Sequence, residues 1–266
     1  MQTEARKRTS ERSRAGANIP NSDRNELTAG LAVGGCFRLQ RALDRKGRVW
    51  QATDDMGRSH ILKTGSSRLV EREFETLSAL SHRNIVDATD CFNGEEGTFV
   101  VLEYLSGGDL VSLAGQAPND WLASIADVID ALRYLQGRGM VHRDLKARNV
   151  LFDAEGIARL IDFESALPVG SQWSFGGTTP IAVTPERGDA PVSTADDVYA
   201  LTCLLHEMLY GMPPGPGERK ACPTGAKALA ELVDTCLARP CVDGRAGLDR
   251  YAAVVELMQG MRRELQ

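Results

Sequence analysis

The sequence predicts an α+β protein of two lobes, a small β-rich one followed by a larger helical one, and three observations carry this. Between Cys36 and Lys63, short apolar segments alternate with turn-prone residues, as antiparallel strands require. Beyond Gly107-Gly108 the apolar spacing changes to the 3.6-residue period of helices. The two patterns meet at a short glycine-containing link, which implies a cleft between the lobes. At 266 residues the chain is long enough for this arrangement.

Residues 1–28 are polar and carry Arg6, Lys7, Arg8, Arg12 and Arg14. Such a segment cannot bury enough apolar surface to offset its ordering entropy, so a disordered tail is expected, with a basic docking arm as the sharper alternative. Residues 29–106 form the small lobe and its link. Here "CFRLQRAL" alternates, "GRVWQAT" follows a turn, and "SHILKTG" follows another at Met56-Gly57. Arg68 to Leu80 spaces Leu69, Phe74, Leu77 and Leu80 at helical intervals, and "TFVVLEYL" reads as a buried strand. Residues 107–266 form the large lobe. Pro118-Asn119-Asp120 starts a helix whose apolar face runs from Leu122 to Leu135 and stops at Gly137 and Gly139. A second helix is expected from about Thr194 to Tyr210, and weaker ones over Ala226–Leu237 and Leu248–Leu265.

Composition narrows the function. A net charge of -5 argues against nucleic acid as a partner. No apolar run approaches the roughly 18 residues of a membrane span. The N-terminus lacks the apolar core of a signal peptide. Six cysteines without a C-x-x-C pair read as buried reduced thiols of a cytoplasmic protein.

The densest polar chemistry is "VHRDLKARNVLF", Val141 to Phe152. Asp144 and Asn149 lie five residues apart in a loop after a helix, and Asp162 follows the apolar "ARLI". One such oxygen group can accept a hydroxyl proton while the others offer hard ligands to Mg²⁺. Lys146 can place positive charge where a transferring phosphoryl group builds negative charge. Lys63 ends an apolar strand and Glu73 sits on the following helix, the pattern of a phosphate clamp held by a carboxylate.

Over roughly residues 36–260, these motifs resemble a eukaryotic-type (Hanks-type) Ser/Thr protein kinase catalytic domain. The resemblance implies the bilobal protein-kinase-like fold, ATP and Mg²⁺ as cofactors, and a protein substrate bearing Ser or Thr. "HRDLKARN" fits the catalytic loop, which makes Asp144 the base and Asn149 a magnesium ligand, with Lys146 beside them. "IDFE" fits the Asp-Phe-Gly element, with Asp162 the main magnesium ligand, and "HILK" fits the lysine strand, with Lys63 on the phosphates and Glu73 its partner. "LEYLSGGDL" resembles the hinge. There Glu103 and Leu105 offer backbone groups to adenine, Leu102 lines the back of the pocket and Asp109 faces the ribose. Gly47, Val49, Ile61 and Leu151 complete the expected nucleotide site. "TPE", Thr184 to Glu186, fits the Ala-Pro-Glu element with Arg245 as its buried partner, and Asp197 in "ADDVYAL" bonds the catalytic-loop backbone. Arg143 anchors a phosphorylated activation loop, whose candidates are Ser165, Ser171, Ser174, Thr178 and Thr179. Thr179 matches a structural threonine. With no sensor segment in view, regulatory input is expected from a separate partner protein.

Three positions depart from the pattern. Ala42 and Asp44 replace the first two glycines of the phosphate loop, where Asp44 is expected to repel phosphates if it points inward. Ile61 stands in place of alanine and is expected to crowd adenine. Glu164 replaces the glycine after Phe163. An active enzyme with an atypical nucleotide pocket is expected. The rivals are a pseudokinase acting as a scaffold or allosteric regulator and, on a similar fold, a small-molecule phosphotransferase.

Overall fold

The computed structural model describes residues 27–172, 190–215, 220–240 and 243–264. Residues 1–26 of the expected tail over 1–28 lie outside them, as do Thr184–Glu186, Ser174, Thr178 and Thr179.

Six strands form one antiparallel sheet: β1 (Ala32–Val33), β2 (Phe37–Ala42), β3 (Val49–Asp54), β4 (Ser59–Gly65), β5 (Ala88–Gly94) and β6 (Gly97–Glu103). Their order across the sheet is β1-β2-β3-β4-β6-β5. The two-residue period of a strand sorts the side chains onto its faces. In β6, Phe99 and Val101 join Leu39, Trp50 and Leu62 in a small outer core, whereas Val100 and Leu102 join the main core. In β4 the same alternation puts Ile61 and Lys63 opposite Leu62. The helix α1 (Ser67–Ser78) buries Val70, Glu73 and Leu77. It belongs to the main core, which continues into the larger lobe.

The larger lobe packs α2 (Pro118–Gly137), α3 (Ala195–Tyr210), α4 (Lys227–Ala238) and α5 (Gly244–Glu264). α3 is buried almost along its whole length, including Asp196 and Asp197, and ends where Gly211 adopts a left-handed φ of 74°. Two short strand pairs complete the lobe: β7 (Met140–Val141) pairs with β10 (Leu167–Pro168), and β8 (Val150–Phe152) pairs with β9 (Ala158–Leu160). The hinge is fastened to β8, because Gly107 N donates to Phe152 O at 2.8 Å and Phe152 N donates to Gly108 O at 2.9 Å.

The α+β, two-lobed expectation holds. Strand β5 is an addition to it: "ATDCFNG" shows no clean alternation and depends on β6, with which it pairs along its length. Two further expectations change. Of the five described cysteines, Cys203 and Cys236 are buried, Cys91 is half-buried, and Cys36 and Cys222 are exposed. Arg245 is exposed rather than buried.

Candidate active site

Lys63 stands at the centre of one cluster. Its position on β4 between Val49 of β3 and Val100 of β6 fixes its stem, and its ammonium meets carboxylates from two other elements. Nζ lies 2.9 Å from Glu73 Oε2 and 2.6 Å from Asp162 Oδ1. A third carboxylate, Glu164, approaches to 3.4 Å. Burial disfavours the ammonium, but the charges and hydrogen bonds of Glu73 and Asp162 outweigh it and hold the Lys63 pKa above its ordinary value. Burial would likewise raise Asp162, yet Lys63, His142 and Lys146 together pull it below the usual carboxylate range. Glu73 is 1% exposed, and its burial pushes its carboxyl up against the pull of Lys63. The same carboxylate accepts from Phe163 N at 3.1 Å, so α1 grips the segment after Asp162.

The second cluster lies on the loop between β7 and β8. Asp144 Oδ2 accepts from Lys146 Nζ at 2.7 Å and from Asn149 Nδ2 at 2.9 Å. Asn149 Nδ2 also donates to Asp144 O at 2.8 Å. With the amide nitrogen so engaged, Oδ1 is the Asn149 atom that could serve as a ligand to a cation. One anionic carboxylate and one amide oxygen are hard donors that fit Mg²⁺, which completes its shell with water and phosphate oxygens. Among the described residues, no three His, Cys, Asp or Glu side chains form a metal site by themselves.

Backbone bonds join the clusters. Ile161 N donates to Asn149 O at 3.0 Å. His142 Nε2 lies 3.0 Å from Ile161 O, while its Nδ1 accepts from Asp144 N at 3.3 Å. The His142 ring packs edge-on against Phe163 at 4.7 Å. Beneath them Asp197, 2% exposed, accepts from His142 N at 2.8 Å and from Arg143 N at 2.9 Å. Arg143 and Asp162 are the two described non-glycine residues with left-handed φ, 71° and 67°. Such backbone costs on the order of 1 kcal/mol or more and persists where surrounding bonds hold it, as here.

On the hinge side, Ile61 pairs with Leu102 and His60 with Glu103 across β4 and β6, and Asp109 bridges Leu151. Leu102 and Leu105 are buried, whereas Val49, Ile61 and Leu151 are partly exposed. Gly47 sits at the tip of the β2–β3 hairpin with φ of 63°. The Asp44 side chain folds back onto that hairpin, where Oδ1 accepts from Arg48 N at 2.7 Å and Val49 N at 2.9 Å. It is engaged as a turn clamp, which corrects the expectation of a carboxylate directed at phosphates.

Two residues escaped the sequence reading. Arg72, next to Glu73, donates from its guanidinium to Glu164 O, and its Nε is buried without a partner. Arg143 donates to Ser165 O at 3.2 Å. Its burial, and then the charge of Arg72, lower its pKa. Arg159 on β9 is the second. Arg159 was read only as part of the apolar "ARLI", and Arg72 could have been noticed only as a cation beside Glu73. Ser165 is buried.

The site thus brings together a lysine held by two carboxylates and an aspartate held by a lysine and an asparagine, the residue types that a phosphoryl-transfer site uses. A family model described as protein kinase domain matches residues 40–239, and the chain belongs to that family. It is similar to CBL-interacting serine/threonine-protein kinase 21 of Arabidopsis thaliana, at 29% identity over 71% of this chain and 47% of that protein. It is also similar to serine/threonine-protein kinase PknB of Mycobacterium leprae, at 31% identity over 74% of this chain and 34% of that protein. Similarity to cGMP-dependent protein kinase 2 of Homo sapiens reaches 33% identity over 72% of this chain and 26% of that protein. The chain spans less than half the length of these curated relatives. Protein kinases as a family use ATP and Mg²⁺. Among the described residues no helix is long and apolar enough to cross a membrane.

Proposed function

We propose that this protein is a serine/threonine protein kinase that transfers the γ-phosphoryl group of MgATP to Ser or Thr hydroxyls of proteins. The observation that carries this reading is the pair of linked clusters: Lys63 held by Glu73 and Asp162, and Asp144 held by Lys146 and Asn149. Bound Mg²⁺ supplies charge neutralisation on the phosphates, with Asp162 and Asn149 as its protein ligands. Lys63 binds the nonreacting phosphates, and Glu73 aims it. Asp144 orients the acceptor hydroxyl and takes its proton, and Lys146 offsets charge that builds on the transferring group. Leu102, Leu105, Val49, Ile61 and Leu151 enclose adenine, with backbone groups of Glu103 and Leu105 on its edge and Asp109 at the ribose. The lobes meet between residues 106 and 107, which puts these groups on both walls of one cleft. Arg143, with Arg72 beside it, receives a phosphorylated activation loop.

The test is incubation of purified protein with labelled MgATP, followed by mapping of incorporated phosphate. Asp144→Asn and Asp162→Asn should each lower transfer roughly a thousandfold or more, with the fold intact by circular dichroism. Full residual labelling in Asp162→Asn would assign the activity to a contaminant. One observation favours a second reading, a pseudokinase acting as a scaffold: Glu164 occupies part of the Lys63 ammonium that phosphates need.

A further inference from the structure

Arg159 lies on β9, three residues before Asp162, and its guanidinium gathers groups from both lobes. Nη1 donates to Glu103 Oε1 at 3.1 Å and to Ile85 O at 3.2 Å. Nε donates to Asp153 Oδ2 at 3.4 Å, and Asp87 Oδ2 lies 3.9 Å from Nη1. Glu103 ends β6 at the start of the hinge, Ile85 and Asp87 belong to the connection from α1 to β5, and Asp153 follows β8.

The groups that Arg159 touches are also bonded to one another. Glu103 N donates to Asp87 O at 3.0 Å, and Asp87 N donates back to Glu103 Oε1 at 2.9 Å. Leu160 N donates to Asn84 O at 2.9 Å and Val86 N to Leu160 O at 3.0 Å, so the connection is annexed to β9 as a short parallel pair. Asn84 Nδ2 adds a bond to Ala158 O at 3.0 Å. One guanidinium thus closes a ring that runs from the hinge through the connection to the strand leading into Asp162.

A solvated ion pair would be worth little. This one differs in two ways. The Arg159 side chain is 18% exposed and Glu103 25% exposed, so water screens them only in part. The planar fork also serves a carbonyl and carboxylates at once, which a lysine ammonium on a flexible stem cannot do with the same geometry.

We propose that Arg159 is a positioning residue for the nucleotide: through Glu103 it holds the adenine-facing hinge in fixed relation to the strand that leads into Asp162. This rests on the nucleotide reading above and names a residue that reading does not contain. Backbone bonds to an adenine edge weaken when the hinge shifts by a fraction of an ångström, so the loss should appear on the base and not on the phosphates.

The experiment is calorimetric titration of the full chain with MgADP and, separately, with adenosine, which carries no phosphate. Arg159→Met should weaken both ligands by the same factor, roughly tenfold. Arg159→Lys, which keeps a cation within reach of Glu103, should recover part of that loss. Lys63→Met serves as the contrast, weakening MgADP and leaving adenosine unchanged. Should Arg159→Met not fold, Arg159→Gln carries the same expectation, since it keeps one donor and drops the charge. Native-like binding of both ligands by the Met or Gln variant overturns the proposal, as does a loss confined to MgADP. A native protein that binds neither ligand removes the nucleotide reading itself, a result separate from either of these.

Discussion

Lys63 Nζ carries three carboxylates, and Glu164 is the one furthest away, at 3.4 Å against 2.9 Å for Glu73 and 2.6 Å for Asp162. On the proposed function an arriving polyphosphate would compete with all of them, but Glu73 is locked by burial and Asp162 is the proposed metal ligand. Glu164, 29% exposed, is the group with somewhere to go. Screening by water reduces its effect well below a contact Coulomb energy. Glu164→Gln keeps the shape and removes the charge, so MgADP affinity should rise by about tenfold or less, equivalent to roughly 1.4 kcal/mol. Calorimetry reads this directly. If the native protein is silent in single-turnover assays and Glu164→Gly transfers phosphate readily, Glu164 is a lock and the scaffold reading prevails. Asp44 follows the opposite logic, because its carboxylate already binds two hairpin amides. Asp44→Asn retains an acceptor for them, so its nucleotide affinity should stay within about threefold of native. Asp44→Gly frees those amides, and hydrogen exchange at Arg48 and Val49 should accelerate by roughly the factor of five that a net hydrogen bond of about 1 kcal/mol represents. Equal exchange in both variants would mean that the clamp does not form in solution.

Elements that were legible in the sequence are those whose period is set by burial on one side. β2, β3 and β4 show alternation, and α2 shows its 3.6-residue stripe from Leu122 to Leu135. β5 was not legible, because a strand completed by its neighbour needs little apolar pattern of its own. The chemical residues of the catalytic loop were legible because their density in a short stretch exceeds what packing requires. Contacts that leave no period to read were not: Lys63 to Glu164 and Arg159 to Glu103 span long separations, and Asp44 bonds locally within its own turn. Asp197 is the instructive intermediate, since its motif was recognisable while its burial was not. On α3 it satisfies two backbone donors of the loop that carries Asp144. Asp197→Ala leaves His142 N and Arg143 N without that acceptor, at about 1–3 kcal/mol for each orphaned group. The melting temperature should fall by several degrees at least, and labelling from MgATP should fall with it. An unchanged melting temperature would show that water or a shifted loop replaces the carboxylate.

The molecule holds two apolar cores of unequal size, and they set how it opens. Val100 and Leu102 share one core with α1 and the larger lobe, whereas Leu39, Trp50, Leu62, Phe99 and Val101 form a small cluster on the outer face of the sheet. Cysteines report on these regions. Cys36 lies beside the small cluster and is exposed, as is Cys222 in the larger lobe, whereas Cys203 and Cys236 are buried in α3 and α4. Alkylation requires both access and thiolate. An exposed thiol meets the reagent in every molecule, while a buried one meets it only in molecules that have opened, a fraction on the order of 10⁻³ to 10⁻⁶ for a marginally stable domain. Cys203 carries a second protection: burial, opposed by a hydrogen bond from Tyr199, pushes its thiol up to about 12. At pH 8 the folded state therefore presents very little of Cys203 as thiolate. Iodoacetamide labelling read by peptide mass should modify Cys36 and Cys222 first. Cys91, half-buried with its thiol raised to about 11 by burial and by nearby Glu71, Asp90 and Glu75, should follow slowly. Cys203 and Cys236 should label together, at least roughly a thousandfold more slowly than Cys36, and denaturant should bring all five to one rate. Labelling of Cys203 in the native protein at the rate of Cys36 would mean that α3 is not the buried centre of the larger lobe, and the support for the catalytic loop through Asp197 would fall with it.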